Sequence, residues 1–235
     1  MRKVIKNKKI NNREKLDAYE YEVYNKIEFD INNIDSSFTQ RKVMKPFQFI
    51  FENIDSSERK PFLPVMISEN ISDFYYRRTP KGQKEIIKAT RVSGLQGSQS
   101  GVNQFMGDMY QNVNVYDNFI TMFGKSFMSP TADIGLLSYR YYLLDSAYID
   151  NDWCYKIRFK PRRKHELTFD GEMWINDTTY AIKQIEASMS GDASINWITE
   201  FAVKQKYDQV EKEVWMLIED KLVVDFNAAD KTMGF

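Results

Sequence analysis

Between Tyr19 and Ile31 the chain alternates so regularly that few folds remain open to it. Tyr19, Tyr21, Val23, Ile27, Phe29 and Ile31 fall on one parity, and Glu20, Glu22, Lys26, Glu28 and Asp30 on the other. A period of two sends successive side chains to opposite faces of a strand, one face buried and one solvated. At about 3.3 Å per residue this strand runs roughly 40 Å, which points to a large curved sheet. The supply of aromatic residues agrees: 16 Phe, 14 Tyr and 4 Trp favour strands over helices. With 43% apolar residues among 235, the chain can bury a large core, and disorder is excluded as a description of the whole.

Further along, Val65 to Tyr76 and Glu85 to Val92 form a second strand pair, joined by the turn residues Thr79-Pro80-Lys81-Gly82. The short repeat Asn33-Ile34-Asp35-Ser36-Ser37 and Asn53-Ile54-Asp55-Ser56-Ser57 reads as two turns flanking Phe38 to Phe51. After a Gly/Ser-rich stretch from Gly94 to Gly101, the spacing becomes helical. Val102, Phe105, Met106, Met109, Tyr110 and Val113 make one apolar helix face, with Ser100 as its cap. From Tyr139 onward the pattern is an antiparallel meander. Trp153, Tyr155, Ile157 and Phe159 share a face, as do Leu167, Phe169, Met173 and Ile175, then Ala181, Ile185, Ala187 and Met189. Trp197 to Tyr207 and Val214 to Phe226 complete it. Residues 1–15 read as a weakly docked short helix or linker from an upstream domain. Residues 16–235 read as a single domain, α+β but mostly β, in which a large curved antiparallel sheet wraps one or two helices.

The charges exclude some functions. Lys+Arg and Asp+Glu both number 33, so no net field draws the domain to nucleic acid. One cysteine, Cys154, permits neither an internal disulfide nor a cysteine-based zinc site. Met1 to Lys6 lack the apolar core of a secretory signal, and no apolar run approaches the roughly 20 residues that span a bilayer. Either the protein is cytosolic or it is a piece cut from a longer exported chain, and the stop at Met233-Gly234-Phe235, just after a strand-like run, favours the second expectation.

The residues select no catalytic set, no metal site and no cofactor. Gly94, Gly97 and Gly101 are not followed by the Lys-Ser or Lys-Thr of a phosphate loop. His165, the only histidine, sits in a basic turn with Arg162, Arg163 and Lys164, where solvation is the plainer role than catalysis. That basic run also has the chemistry to touch phosphate or anionic lipid headgroups, although for a hairpin tip simple solvation is the plainer reading. Cys154 shares a strand face with Lys156 and Arg158, cations that lower a nearby thiol pKa, yet no base accompanies it and an inert strand cysteine is the plainer reading. Asp170 and Glu172 read as a solvated strand face. Asp150, Asn151 and Asp152 form a turn too short for a calcium loop. Asp145-Ser146-Ala147 and Asp177-Thr178-Thr179 resemble a short O-glycosylation acceptor triplet of exported Gram-negative proteins.

Three segments carry a resemblance. Tyr155 to Pro161, then Phe169-Asp170-Gly171-Glu172-Met173-Trp174-Ile175-Asn176, then Thr179-Tyr180-Ala181-Ile182, resemble the strand-turn-strand signature of lipoprotein-carrier-like half-barrels. With Lys15 to Lys26, Phe47 to Asn53, Ile67 to Tyr76 and Ile86 to Gly94, the chain is similar to the uncharacterised middle domain of Gram-negative outer-membrane β-barrel proteins. Those proteins carry an N-terminal carboxypeptidase-regulatory-like domain. The resemblance implies a periplasmic, non-enzymatic module tethered to the outer membrane, acting in scaffolding, assembly or partner binding. Its partners would be its own C-terminal β-barrel and N-terminal β-sandwich, with lipid or another envelope protein as further partners. The alternative is a carrier or sensor of acyl chains, lined by Tyr155, Ile157, Phe159, Phe169 and Met173 opposite Phe105, Met106 and Met109. The plainer reading of those two faces is a packed core.

Overall fold

The long first strand sits in the middle of the sheet, not at its edge. The computed structural model describes residues 1–31, 63–94, 113–191 and 198–226. Strands β1 (Ala18–Ile31), β2 (Leu63–Arg77) and β3 (Gly82–Gly94) form one antiparallel block. The second block is a continuous meander: β6 (Tyr139–Ile149), β7 (Asp152–Pro161), β8 (Phe169–Asn176), β9 (Ile182–Met189), β10 (Ile198–Glu211) and β11 (Val214–Phe226). The blocks join where β1 runs parallel to β11, from Tyr24 opposite Glu219 to Ile31 opposite Phe226. The sheet order is therefore β3-β2-β1-β11-β10-β9-β8-β7-β6. The expected antiparallel sheet holds at every junction but this one. A parallel pair requires a long crossover, and here all the chain from β2 to β10 supplies it. The sheet does not close, so the architecture is a mostly-β half-barrel. The proposed helix over 102–113, apart from its last residue Val113, and the segment 38–51 lie outside the described residues.

A small hairpin fills the inner face. β4 (Phe119–Met122) and β5 (Lys125–Met128) pair across a two-residue turn. Phe123 and Gly124 both have positive φ there, 51° and 72°, the mirror-image geometry that matches strand twist. The hairpin drives Phe127 into the centre of the core, 5.3 Å from the Phe169 ring and 5.2 Å from Phe201. Polar side chains tether this plug, and the segment that leads into it, to the sheet. Tyr139 Oη donates to Met128 O (2.5 Å) and accepts from Phe169 N (3.0 Å). Tyr116 Oη accepts from Ile182 N (2.9 Å), and Gln205 Nε2 donates to Val113 O (3.0 Å).

The N-terminal helix, α1 (Arg2–Asn11), is docked firmly, which corrects the weak docking expected of residues 1–15. Val4 is 1% exposed and belongs to the core cluster. Lys8 pairs with Asp133 (2.9 Å), and Asn11 Nδ2 donates to Thr179 O (2.9 Å). In the 3-10 turn that follows (Arg13–Lys15), the buried Arg13 guanidinium lies over the rings of Tyr21 and Phe74. Such contacts with desolvated guanidinium groups are among the stronger cation–π cases.

Candidate interaction surface

Of the residues suggested as an acyl lining, most of those described are filled core. Phe159, Phe169 and Met173 are fully buried in the core cluster, packed with Phe127, Tyr139 and Phe201. Ile157 is partly buried against that cluster, and Tyr155 is exposed on β7. Phe105, Met106 and Met109 lie outside the described residues. Among the described residues, the inner face of the meander is occupied by protein side chains.

Cys154 sits where the cations of its strand do not activate it, in line with the plainer reading of an inert strand cysteine. It is fully buried, and burial pushes its thiol up to about 11, with Asp152 adding to the rise. His165 occupies an exposed turn with φ 61°, beside Arg163, which reaches Glu166 at 3.1 Å. Asp170 and Glu172 do lie on the outer face, but as members of a charge ladder. Arg158 reaches both, Lys156 reaches Glu172, and the ladder continues through Glu186–Lys204, Lys206–Glu219 and Lys221–Glu28. The half-exposed pairs contribute little stability each, whereas Glu28, at the end of the ladder, is buried between Lys26 and Lys221.

Two buried polar groups were not legible in the sequence. Lys183 is one. The β8–β9 register shifts between Trp174, opposite Gln184, and Ile175, opposite Ile182, so Lys183 is the extra residue of a β-bulge. Its ammonium is buried and sits 2.7 Å from Asp208, 3.0 Å from Asp152 and 3.4 Å from Asp150. Burial alone would pull its pKa down. Hydrogen bonds to Asp208 and Asp152 outweigh that and hold it above the ordinary value. The β6–β7 turn, β9 and β10 are thereby clamped together at the hairpin end of the sheet. Asp220 is the other. It is partly buried on β11 opposite Gln205 and Asn25, and burial raises its carboxyl to about 6 against hydrogen bonding from Gln205 and the charge of Arg13. Strand parity places Asp220, with Leu222 and Val224, on an inward position, whereas Lys183 is buried through the bulge. Nothing local shows what waits there for them.

The described residues hold no cluster of His, Cys, Asp or Glu fit for a metal ion. What the fold leaves uncovered is its edges. No described strand pairs with the outer side of β3 or of β6. On β6 a bulge between Leu143 and Asp145 turns two adjacent leucines outward, Leu143 at 68% exposure and Leu144 at 50%, with Tyr148 at 69% further along. Exposed apolar residues on an open edge strand offer unpaired backbone groups beside greasy side chains, the usual template for strand addition.

A half-barrel whose described inner face is filled, and whose two outermost strands β3 and β6 both carry exposed apolar residues, defines a structural class: a mostly-β open-sheet domain. Within it, the chain belongs to the Family of unknown function (DUF5686), whose model matches residues 1–234. No curated protein matches it. A crystal structure described as an outer membrane lipoprotein-sorting protein domain from Vibrio parahaemolyticus shares 12% identity, over 66% of this chain and 56% of that one, at a TM-score of 0.26. That superposition is too loose to bear on fold or function. Among the described residues, no helix is long and apolar enough to cross a membrane.

Proposed function

We propose that the chain is a non-enzymatic module of a cell-envelope protein, periplasmic and tethered to the outer membrane through the rest of that protein. It binds or scaffolds a partner along β6. The observation that carries this reading is the pair Leu143 and Leu144, adjacent and both exposed where a bulge interrupts an outermost strand. The perturbed polar groups support it too: Lys183 is engaged by three aspartates and Gln205 by Tyr207 and Val113, as structural pairs are. The partners in view are the β-barrel and β-sandwich of the same envelope protein. The packing of Phe159, Phe169 and Met173 against Phe127 supports this reading over the carriage of an acyl chain.

A photo-crosslinking amino acid placed at Leu143 of the full-length protein, in intact cells, tests it. The expected result is a discrete adduct, absent when the probe sits at Thr121 on the β4–β5 hairpin. The same domain should resist added protease until the outer membrane is opened. A cytosolic location, or no adduct at Leu143 beyond that of the control, would overturn the proposal.

A further inference from the structure

One corner of the domain breaks the charge pairing that holds across the outer face. Arg140 on β6 and Lys160 on β7 stand directly opposite each other in register. Like charges so placed repel. The turn that follows carries Arg162, Arg163 and Lys164, all exposed, and of these only Arg163 reaches a carboxylate. Among the described residues, Arg140, Lys160, Arg162 and Lys164 form no ion pair. In a chain of zero net charge this is a local excess, not a property of the whole.

The same corner presents aliphatic side chains. Backbone N–H of Arg162 donates to Ser138 O, and its Nε donates to Tyr139 O, both at 2.8 Å. The basic turn is thus pinned against the one-turn helix α2 (Gly135–Ser138). Leu137 is 72% exposed there and Ile134 51%, with Leu136 beside them. The knuckle is seated rigidly from below. Tyr141 Oη donates to Pro130 O at 2.7 Å, and even a Cβ on Gly135 would come within 2.9 Å of that hydroxyl.

We propose that this corner is a peripheral docking site for an anionic lipid surface. Aliphatic side chains on a protruding turn enter the boundary between headgroups and acyl chains, while flanking Lys and Arg keep their heads at the phosphates. The charge complementarity selects the occupant: four unpaired cations seek a dense anionic plane, and the aliphatics seek an apolar layer just beneath it. The site goes beyond the partner-binding role of β6 and uses different side chains.

The test is co-sedimentation of the purified chain with vesicles of phosphatidylcholine, with and without phosphatidylglycerol. Wild type is expected on the anionic vesicles only, and less in high salt. Lys164→Glu should weaken partitioning by at least about fivefold, and Leu137→Ser should weaken it at unchanged salt dependence. Both positions are exposed, and thermal melts followed by circular dichroism confirm that the variants fold. Should Leu137→Ser misfold, Lys164→Glu decides alone. Equal binding to zwitterionic vesicles, no binding, or indifference to both substitutions would overturn the site. So would a wild-type dimer that Leu137→Ser disperses without any vesicle binding, which would make the knuckle a contact between copies. The Leu143 crosslink reports on the β6 reading independently.

Discussion

Gly171 on β8 lies flat against the backbone of Glu186 on β9. A Cβ at this position would overlap the Glu186 carbonyl oxygen and stand 2.8 Å from Phe159 Cζ. Phe159 occupies the space that a side chain would take, since it pairs in register with Gly171. The glycine is what allows an aromatic ring to lie across two neighbouring strands.

Gly171→Ala is accordingly expected to destabilise the fold by more than about 3 kcal/mol, because the clash is with backbone and cannot be relieved by a rotamer change. Thermal unfolding measures it. A melting temperature equal to wild type would show that β8 and β9 separate without cost.

Replacing Lys183 with Met keeps the stem and removes the charge that holds Asp150, Asp152 and Asp208 together. Removing one partner of a buried ion pair costs about 3–5 kcal/mol. Asp150 and Asp208 are exposed enough to rehydrate, so about 2 kcal/mol is expected in urea unfolding at neutral pH. The folded pKa lies above the unfolded one, so the wild-type contribution is complete below about 10.5 and is lost as pH rises through the folded value. Equal stability of Lys183→Met and wild type would remove the clamp from the account.

Asp220 supplies a pH dependence of opposite sense. Its carboxyl titrates at about 6 in the fold, against an ordinary 3.8. The folded state binds this proton more tightly, so the stabilisation is present below 3.8 and disappears as pH rises through 6. Asp220→Asn should therefore match wild type near pH 3.5 and exceed it at pH 7, by at most ~3 kcal/mol. The quantity to measure is the difference between variant and wild type across pH, since other carboxylates govern the acid limb in both. A difference that does not change with pH would contradict the assignment.

Cys154 should be silent to a thiol reagent at pH 8 while the protein is folded, and react fully once it is denatured. Burial blocks access and keeps the thiol protonated, with a pKa of about 11. Rapid labelling of the native protein would mean that Lys156 and Arg158 activate it after all.

The strands were legible because burial on one side of a sheet imprints a local period. Val23 and Ile27 alternate with Glu22 and Lys26, and the structure buries the former as β1. The Thr79 to Gly82 turn and the meander from Tyr139 follow the same logic. The β4–β5 plug carried a weaker signal, Ile120 and Met122 before Gly124 and Phe127 after it, in strands only four residues long. At Ala181, Ile182 and Lys183 the period fails altogether, because all three are buried around a bulge.

The sequence by itself therefore determined the strand class, the hairpins and the absence of any motif for cofactor or metal. Tertiary structure alone decided the rest. It placed β1 beside β11, brought Phe127 between Phe169 and Phe201, gave Lys183 its three aspartates, and left Leu143, Leu144 and Leu137 in solvent. Periodicity reports only whether a side chain faces inward. Which distant residue meets it, or whether none does, is fixed by strand order and register, and these exist only once the whole sheet is assembled.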